Sequence, residues 1–204
     1  RVFVVKGTKC VYMQAQKLKI LVIGPAGTGK TSIISRYVRD GFSKGYKTTI
    51  GVDYAVKSVM LCNTEVTLQL WDIAGQERFE SMMRVYYNRA AGAVVVTDVT
   101  NASTLASARK WKADLDTKLV NPATQAGVPS ILLLNKVDLL DDKKPDSVTA
   151  TLMEDFCLNN GFSKWFATSA KDNINIRESL EFLAKEILMH QGFNTKKNTK
   201  DDDT

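Results

Sequence analysis

Leu18-Lys19-Ile20-Leu21-Val22-Ile23-Gly24-Pro25-Ala26-Gly27-Thr28-Gly29-Lys30-Thr31 is the stretch that decides the fold. Leu18 to Ile23 is a short apolar run ending in glycine, the pattern of a buried parallel strand. Gly24 to Thr31 then reads glycine, four residues, glycine, lysine, threonine, and a helix is expected from Thr31 to about Arg39. A strand, a glycine-rich turn and a helix in that order suit a phosphate. Glycine lets backbone N–H groups turn inward around phosphate oxygens, and the helix N-terminus adds a favourable dipole. Lys30 supplies a mobile positive charge for the outer phosphates, and the Thr31 hydroxyl can ligate Mg²⁺. With glycine at about 7% of residues, the four fixed positions match by accident in roughly one chain in a hundred. Ala26, Gly27, Thr28, Gly29, Lys30, Thr31 and Ser32 are therefore the candidate phosphate contacts.

Outward from this stretch, strands and helices alternate. Val52 to Met60 and Val66 to Leu70 alternate in polarity, with Val52, Tyr54 and Val56 on one face, and Cys62-Asn63-Thr64 between them predicts an antiparallel hairpin. Gly92 to Val96 and Ser130 to Leu134 are continuous apolar strands. Helix candidates follow each of these two strands, one carrying Leu105, Ala108, Leu115 and Leu119, the other Ile176, Leu180, Leu183, Ile187 and Leu188. This alternation predicts an α/β fold of right-handed crossover units, with a mostly parallel sheet covered on both faces. Val2 to Val5 and Cys10 to Met13 read as strands or short ordered arms.

The phosphate loop leaves the base undefined. Asn135-Lys136-Val137-Asp138 follows the Ile131 to Leu134 strand, where ligand sites of α/β sheets form. An Asp carboxylate there accepts hydrogen bonds from guanine N1–H and the 2-amino group. Adenine offers neither donor and would leave the carboxylate unpaired, so the pattern favours guanine. Alone, such a motif is more often a strand-end turn with a solvated aspartate. Thr168-Ser169-Ala170-Lys171, after another apolar stretch from Trp165 to Ala167, can present backbone N–H groups to guanine O6 and shifts the balance. A third constellation is Leu70-Trp71-Asp72-Ile73-Ala74-Gly75-Gln76-Glu77-Arg78-Phe79. Asp72 can hold Mg²⁺ through water, Gly75 permits a backbone N–H to approach a γ-phosphate, and Gln76 can orient an attacking water. Upstream, Tyr46-Lys47-Thr48-Thr49-Ile50-Gly51 lies in a loop long enough to reach the phosphates, with Thr49 a Mg²⁺ ligand when a γ-phosphate is present.

Composition bounds the rest. The chain has 204 residues, 44% hydrophobic and 25% charged, which fits one globular domain and excludes wholesale disorder. No apolar run approaches the ~20 residues of a membrane span, and no secretory signal is visible. The net charge is +6. Arg1, Lys6, Lys9, Lys17 and Lys19 supply five of these charges, and residues 191–204 balance to zero, so residues 20–190 hold only +1. A basic total invites a nucleic-acid reading, but no stacking aromatics interleave the basic residues, and a solvated arm near anionic lipid fits better; no nucleic-acid partner is expected. The division expected is a basic extension over 1–16, a nucleotide-binding domain over 17–190 and a polar tail over 191–204. Cys10, Cys62 and Cys157 are odd in number and widely spaced, which argues against a disulfide framework or a zinc site.

With these motifs in place, the chain resembles the small GTPases of the Ras superfamily over about residues 18–190, and within them the Rab family. Ile50-Gly51-Val52-Asp53-Tyr54, Trp71 to Phe79 and Tyr86-Tyr87-Asn88-Arg89-Ala90 carry the Rab likeness. Trp71 to Gly75, Lys110 to Asp116 and Thr168 to Ile176 resemble the subgroup tied to lysosome-related organelles, the thirty-two and thirty-eight type. The resemblance implies a P-loop NTPase fold, a small G domain of six strands and five helices. It implies bound GTP or GDP with Mg²⁺ held by Thr31, Thr49 and Asp72, and slow hydrolysis of GTP. Switch I is implied around Phe42 to Gly51 and switch II from Ala74 to about Tyr87. The nucleotide contacts implied are Ala26 to Ser32, Phe42 against the base, Tyr46, Thr49, Gly75, Asn135, Lys136, Asp138, Ser169, Ala170 and Lys171, with Gln76 catalytic. Tyr54, Trp71 and Tyr86 match an aromatic trio that effectors read. Exchange factors and GTPase-activating proteins are the other partners implied, with a place on the cytosolic face of endosomal or lysosome-related membranes.

Some residues depart from the family pattern. Ala26 stands where most relatives have glycine, and its β-carbon should crowd the hydrolytic geometry. The family's C-terminal prenylated cysteines have no counterpart after Cys157, and the chain begins at Arg1, so both ends read as truncated or membrane association takes another route. Ala26 and the missing cysteines motivate one competing reading, a GTP-bound scaffold with little or no hydrolysis. An ATP-dependent kinase or ATPase is disfavoured by Asp138 and Gln76.

Overall fold

The computed structural model describes residues 2–5, 8–11, 16–43, 48–61, 63–75, 85–119, 127–140 and 150–192. The strands are β1 (Val2–Val5), β2 (Thr8–Val11), β3 (Gln16–Ile23), β4 (Val52–Leu61), β5 (Thr64–Ile73), β6 (Gly92–Asp98), β7 (Ser130–Asn135) and β8 (Lys164–Ala167). The helices are α1 (Lys30–Arg39), α2 (Ala102–Lys118), α3 (Ala150–Asn160) and α4 (Ile176–His190), with a 3₁₀ turn over Val137–Leu139. Val85 to Tyr87 are also helical, inside the region implied for switch II.

Six strands form one sheet in the order β4-β5-β3-β6-β7-β8. Only the β4–β5 hairpin is antiparallel, and the other pairings are parallel. β1 and β2 pair with each other as a separate antiparallel hairpin, so the second N-terminal strand begins two residues before the expected Cys10. The strand containing the opening run lies at the centre, between β5 and β6. The chain steps from β3 to one side and later to the other, which puts the C-terminal end of β3 at the point where strand order reverses. Ligands of open α/β sheets bind there.

Alternation along β3 feeds both faces. Leu18, Ile20 and Val22 pack with Ile33 of α1 and with Leu180, Leu183 and Ile187 of α4. Leu21 and Ile23 pack on the other face with Ala108 and Leu115 of α2 and Met153 and Cys157 of α3. Cys157 is a free, buried thiol. The face of β4 that carries Tyr54 and Val56 is the outward one, with both side chains exposed, while Ala55 and Val59 pack on the core from the opposite face. β4 is an edge strand, and on its inner face Ala55, Val59 and Leu61 join the core while the Lys57 ammonium donates to the Tyr37 carbonyl of α1. Helix α3 escapes the periodicity reading because only Met153 and Cys157, four residues apart, are buried on it.

Candidate functional site

The loop from Gly24 to Gly29 joins the end of β3 to the start of α1. Gly29 caps α1 in the left-handed region, at φ 97°, and no side chain caps the helix. The first N–H groups of α1 are thus left for an external acceptor, and no acidic residue occupies the first turn to compete. Lys30 folds back over the loop and donates to the carbonyls of Gly24 and Pro25, both at 2.9 Å. Thr28, expected as a phosphate contact, is buried beneath the loop, where its hydroxyl donates to the Pro25 carbonyl at 3.0 Å. Its side chain therefore shapes the loop from below.

The parallel register pairs Val22 with Asp72, which brings the end of β5 beside the phosphate loop. The Thr31 hydroxyl donates to Asp72 Oδ2 at 2.5 Å, and Thr49 Oγ1 lies 2.8 Å from Thr31 Oγ1 and 3.4 Å from the same carboxylate oxygen. The three expected Mg²⁺ ligands are thus one cluster. Asp72 Oδ1 is buried and has no hydrogen-bond partner among the described residues. A buried carboxylate oxygen without a partner is costly, and a metal-bound water would satisfy it, so these residues fit Mg²⁺. Burial raises the Asp72 carboxyl above its ordinary range, opposed by the Thr31 hydrogen bond and the Lys30 charge.

Burial also pushes the Lys30 ammonium down to about 8, with Asp72 opposing the shift. At pH 8.5 a group with that value is roughly three-quarters neutral, and at pH 7 about one-tenth. Phosphate oxygens beside Lys30 favour its charged form, so nucleotide binding should draw a proton from solution at pH 8.5 and almost none at pH 7. Titration calorimetry of Mg²⁺-GDP binding, repeated in buffers of different ionisation enthalpy, should report uptake of about 0.7 proton at pH 8.5. Equal uptake at the two pH values would remove Lys30 as its source.

At the far end of the same cleft, β7 delivers Asn135 and the 3₁₀ turn delivers Asp138. Asn135 is buried and its polar atoms are committed to the protein. Its Nδ2 donates to the Thr28 carbonyl at 2.8 Å, and its Oδ1 accepts from the Ala170 N–H at 3.2 Å and the Thr168 hydroxyl at 3.4 Å. Asn135 therefore ties the phosphate loop, the end of β7 and the 168–171 loop together. Asp138 accepts from the Ser169 hydroxyl at 2.6 Å and pairs with Lys171 at 3.4 Å. Burial would raise its carboxyl, but the Ser169 and Lys171 hydrogen bonds outweigh it and hold the group below the usual carboxylate range. Lys136 sits at φ 69° and its ammonium pairs with Asp98 Oδ2 at 2.6 Å. Ser169 is fully buried behind Asp138.

One cavity of about 630 Å³ connects these parts, a volume within the range of small-molecule sites. Ala26, Gly27, Gly29, Lys30, Thr31, Ser32, Phe42, Thr49, Gly75, Asn135, Lys136, Asp138, Ala170 and Lys171 line it. Ser35, Arg39 and Leu139 line it too and belong to no motif, and Ser43 and Thr48 line it from the loop implied as switch I. Thr28, Ser169 and Asp72 stand behind the wall. The expectations for Tyr46 and Gln76 fall outside the described residues. Beyond the cavity, the rings of Tyr54 and Trp71 stack at 5.5 Å, Trp71 and Tyr86 meet at 6.1 Å, and the Lys19 ammonium lies 4.1 Å over the Trp71 ring. The three expected aromatics therefore form one continuous surface.

A sequence model described as the Ras family matches residues 19–189. Ras-related protein Rab-32A of Dictyostelium discoideum is 53% identical over 171 residues, 83% of this chain and 77% of that protein. Ras-related protein Rab-32 of Homo sapiens is 50% identical over 185 residues, 90% of this chain and 80% of that protein. Ras-related protein Rab-7L1 of Rattus norvegicus is 47% identical over 171 residues, 83% of this chain and 81% of that protein.

Proposed function

The chain belongs to the Ras family, as a Rab-like small GTPase that hydrolyses GTP in membrane trafficking, and on that premise we propose that the cavity above is a nucleotide-operated switch worked by the residues that line and back it. Such proteins bind GTP or GDP with Mg²⁺ and meet exchange factors, activating proteins and effectors. The observation that carries the assignment is the convergence of the phosphate loop, the Thr31–Asp72–Thr49 cluster and Asp138 on one cavity. Residues 17–190 form the G domain in this reading, with 1–16 a basic extension and 191–204 a polar tail.

Lys30 and the N–H groups of residues 26–32 hold the phosphates, and Asp138 reads the guanine N1–H and 2-amino group. Phe42 covers the base. Thr31, Thr49 and Asp72 hold Mg²⁺, which neutralises charge on the phosphate oxygens when bound. Thr49 and Gly75 respond to the γ-phosphate: with GTP present, their contacts order the two loops, and loss of the γ-phosphate releases them. Partners that bind the ordered loops more tightly then distinguish the two states, with Tyr54, Trp71 and Tyr86 as the surface they read. Tyr46 belongs to the same phosphate-facing loop. Among the described residues no helix is long and apolar enough to cross a membrane. The likeness to the Rab proteins above supports peripheral attachment to organelle membranes, and the cytosolic face of endosomal or lysosome-related membranes is the place this reading gives it.

Hydrolysis depends on Gln76 orienting water, and the Ala26 β-carbon narrows the space in which it does so. Membership of a hydrolase family disfavours a scaffold that never turns over. Single-turnover hydrolysis of loaded GTP tests the roles. Gln76→Leu should slow it by about ten- to a hundredfold through lost positioning, with GDP affinity retained, and Ala26→Gly should speed it several-fold. An unchanged rate in Gln76→Leu would take Gln76 out of the mechanism.

A further inference from the structure

Arg36 occupies the last turn of α1 and belongs to no motif of the phosphate or base sites. Its guanidinium, with a side chain only 15% exposed, donates in three directions. Nε donates to the Ala170 carbonyl at 2.9 Å and Nη2 to the Lys171 carbonyl at 2.8 Å. Nη1 donates to the Asp40 carbonyl at 3.0 Å and lies 3.3 Å from the Asp40 carboxylate. Asp40 is the left-handed C-cap of α1, at φ 51°, two residues before Phe42. A single rigid fork therefore grips both the chain leading to Phe42 and two consecutive carbonyls of the 168–171 loop. Phe42 and Lys171 lie on the wall of the same cavity.

The consequence lies in the peptide plane. In a trans peptide, the Ala170 carbonyl and the Lys171 N–H point in opposite directions. Holding that carbonyl against α1 therefore aims the Lys171 N–H away from α1. The Ala170 N–H is already spent on Asn135 Oδ1, and the Asp172 N–H on Ser169 Oγ at 3.0 Å. The Lys171 N–H has no partner among the described residues, which leaves it the loop's unpaired donor in this stretch. We propose that Arg36 is a positioning residue for base recognition: it holds the Ala170 carbonyl so that the Lys171 N–H is set for the guanine O6, and it fixes the Phe42 side of the pocket through Asp40. This deepens the base-site reading above and rests on it. Lysine cannot replace the fork, because a compact ammonium on a flexible stem cannot hold three acceptors in fixed directions.

Release of N-methylanthraniloyl-GDP from the full chain, chased with excess GDP in Mg²⁺, tests this in Arg36→Met and Arg36→Lys. The methionine variant should release GDP on the order of tenfold faster, and the lysine variant should fall between it and the parent. The preference for GDP over the diphosphate of 2-aminopurine riboside, which lacks O6 and the N1 proton, should shrink in both variants, while the preference for GDP over inosine diphosphate, which keeps both and lacks only the 2-amino contact to Asp138, should stay parental. A general loosening of the fold would weaken all three nucleotides by the same factor, and that result would overturn the proposal, as would parental release rates. A parent chain that fails to prefer GDP over ADP would instead overturn the base-site reading itself.

Discussion

Gly29→Ala should reduce GDP affinity by about a thousandfold. Two costs combine. A left-handed φ of 97° strains an alanine by roughly 2 kcal/mol. A β-carbon built there lies 2.4 Å from Asn135 Nδ2, the atom that donates to the Thr28 carbonyl. Asn135 is buried and cannot swing away without abandoning that bond, and an unmade buried hydrogen bond costs about 2 kcal/mol. The sum of about 4 kcal/mol corresponds to roughly a thousandfold in affinity, because the loop that must cradle phosphate is the loop displaced. Gly27→Ala is the matched comparison. Gly27 has φ 77° but nothing within 4 Å of its added β-carbon, so it incurs strain without collision and should bind GDP more tightly than the Gly29 variant. Fluorescence titration with labelled GDP would decide the matter. Gly29→Ala binding within tenfold of the parent would show that Asn135 does not brace the loop.

Asn135 also shows where sequence reading stops. The phosphate loop was legible because strand, turn and helix are contiguous, so one stretch of chain holds the whole device. Asp138 was legible because its chemistry matches one base and its place follows a strand. The Thr31–Thr49–Asp72 cluster was legible only as separate candidates: its unity comes from the Val22–Asp72 register, which no local pattern contains. Roles that depend on which way a side chain turns were harder still. Ser169 and Thr28 share motifs with wall residues, and Asn135 lies on the wall itself, yet their polar atoms face the protein and brace it. Arg36 carries no local signal at all, since its acceptors lie 134 and 135 residues away in sequence. The outward side of β4 shows a different limit of polarity patterns. Tyr54 and Val56 have the polarity of a core stripe, but they lie on the outward face of an edge strand, where Tyr54 stacks on Trp71 to build a surface instead.

Asp138→Asn should exchange the base that the protein accepts. The carboxylate offers two acceptors, matching the N1–H and 2-amino donors of guanine. Asparagine keeps one acceptor and turns the other into a donor. Against guanine, that donor faces the 2-amino group, so one hydrogen bond to a charged group is lost and two donors oppose each other. The penalty should reach at least a hundredfold in GDP affinity. Xanthine carries a carbonyl at that position and accepts from the new amide, so xanthosine diphosphate should gain affinity in the variant. The pocket should survive the change. The Ser169 hydroxyl, now 2.6 Å from Asp138 Oδ1, can donate to the asparagine oxygen as well, and Lys171 lies at 3.4 Å with half its side chain exposed, so its loss matters little. Competition between the two diphosphates for the labelled nucleotide, in parent and variant, separates recognition from damage. Loss of GDP binding with no gain for the xanthine nucleotide would mean that Asp138 braces the 168–171 loop and does not read the base.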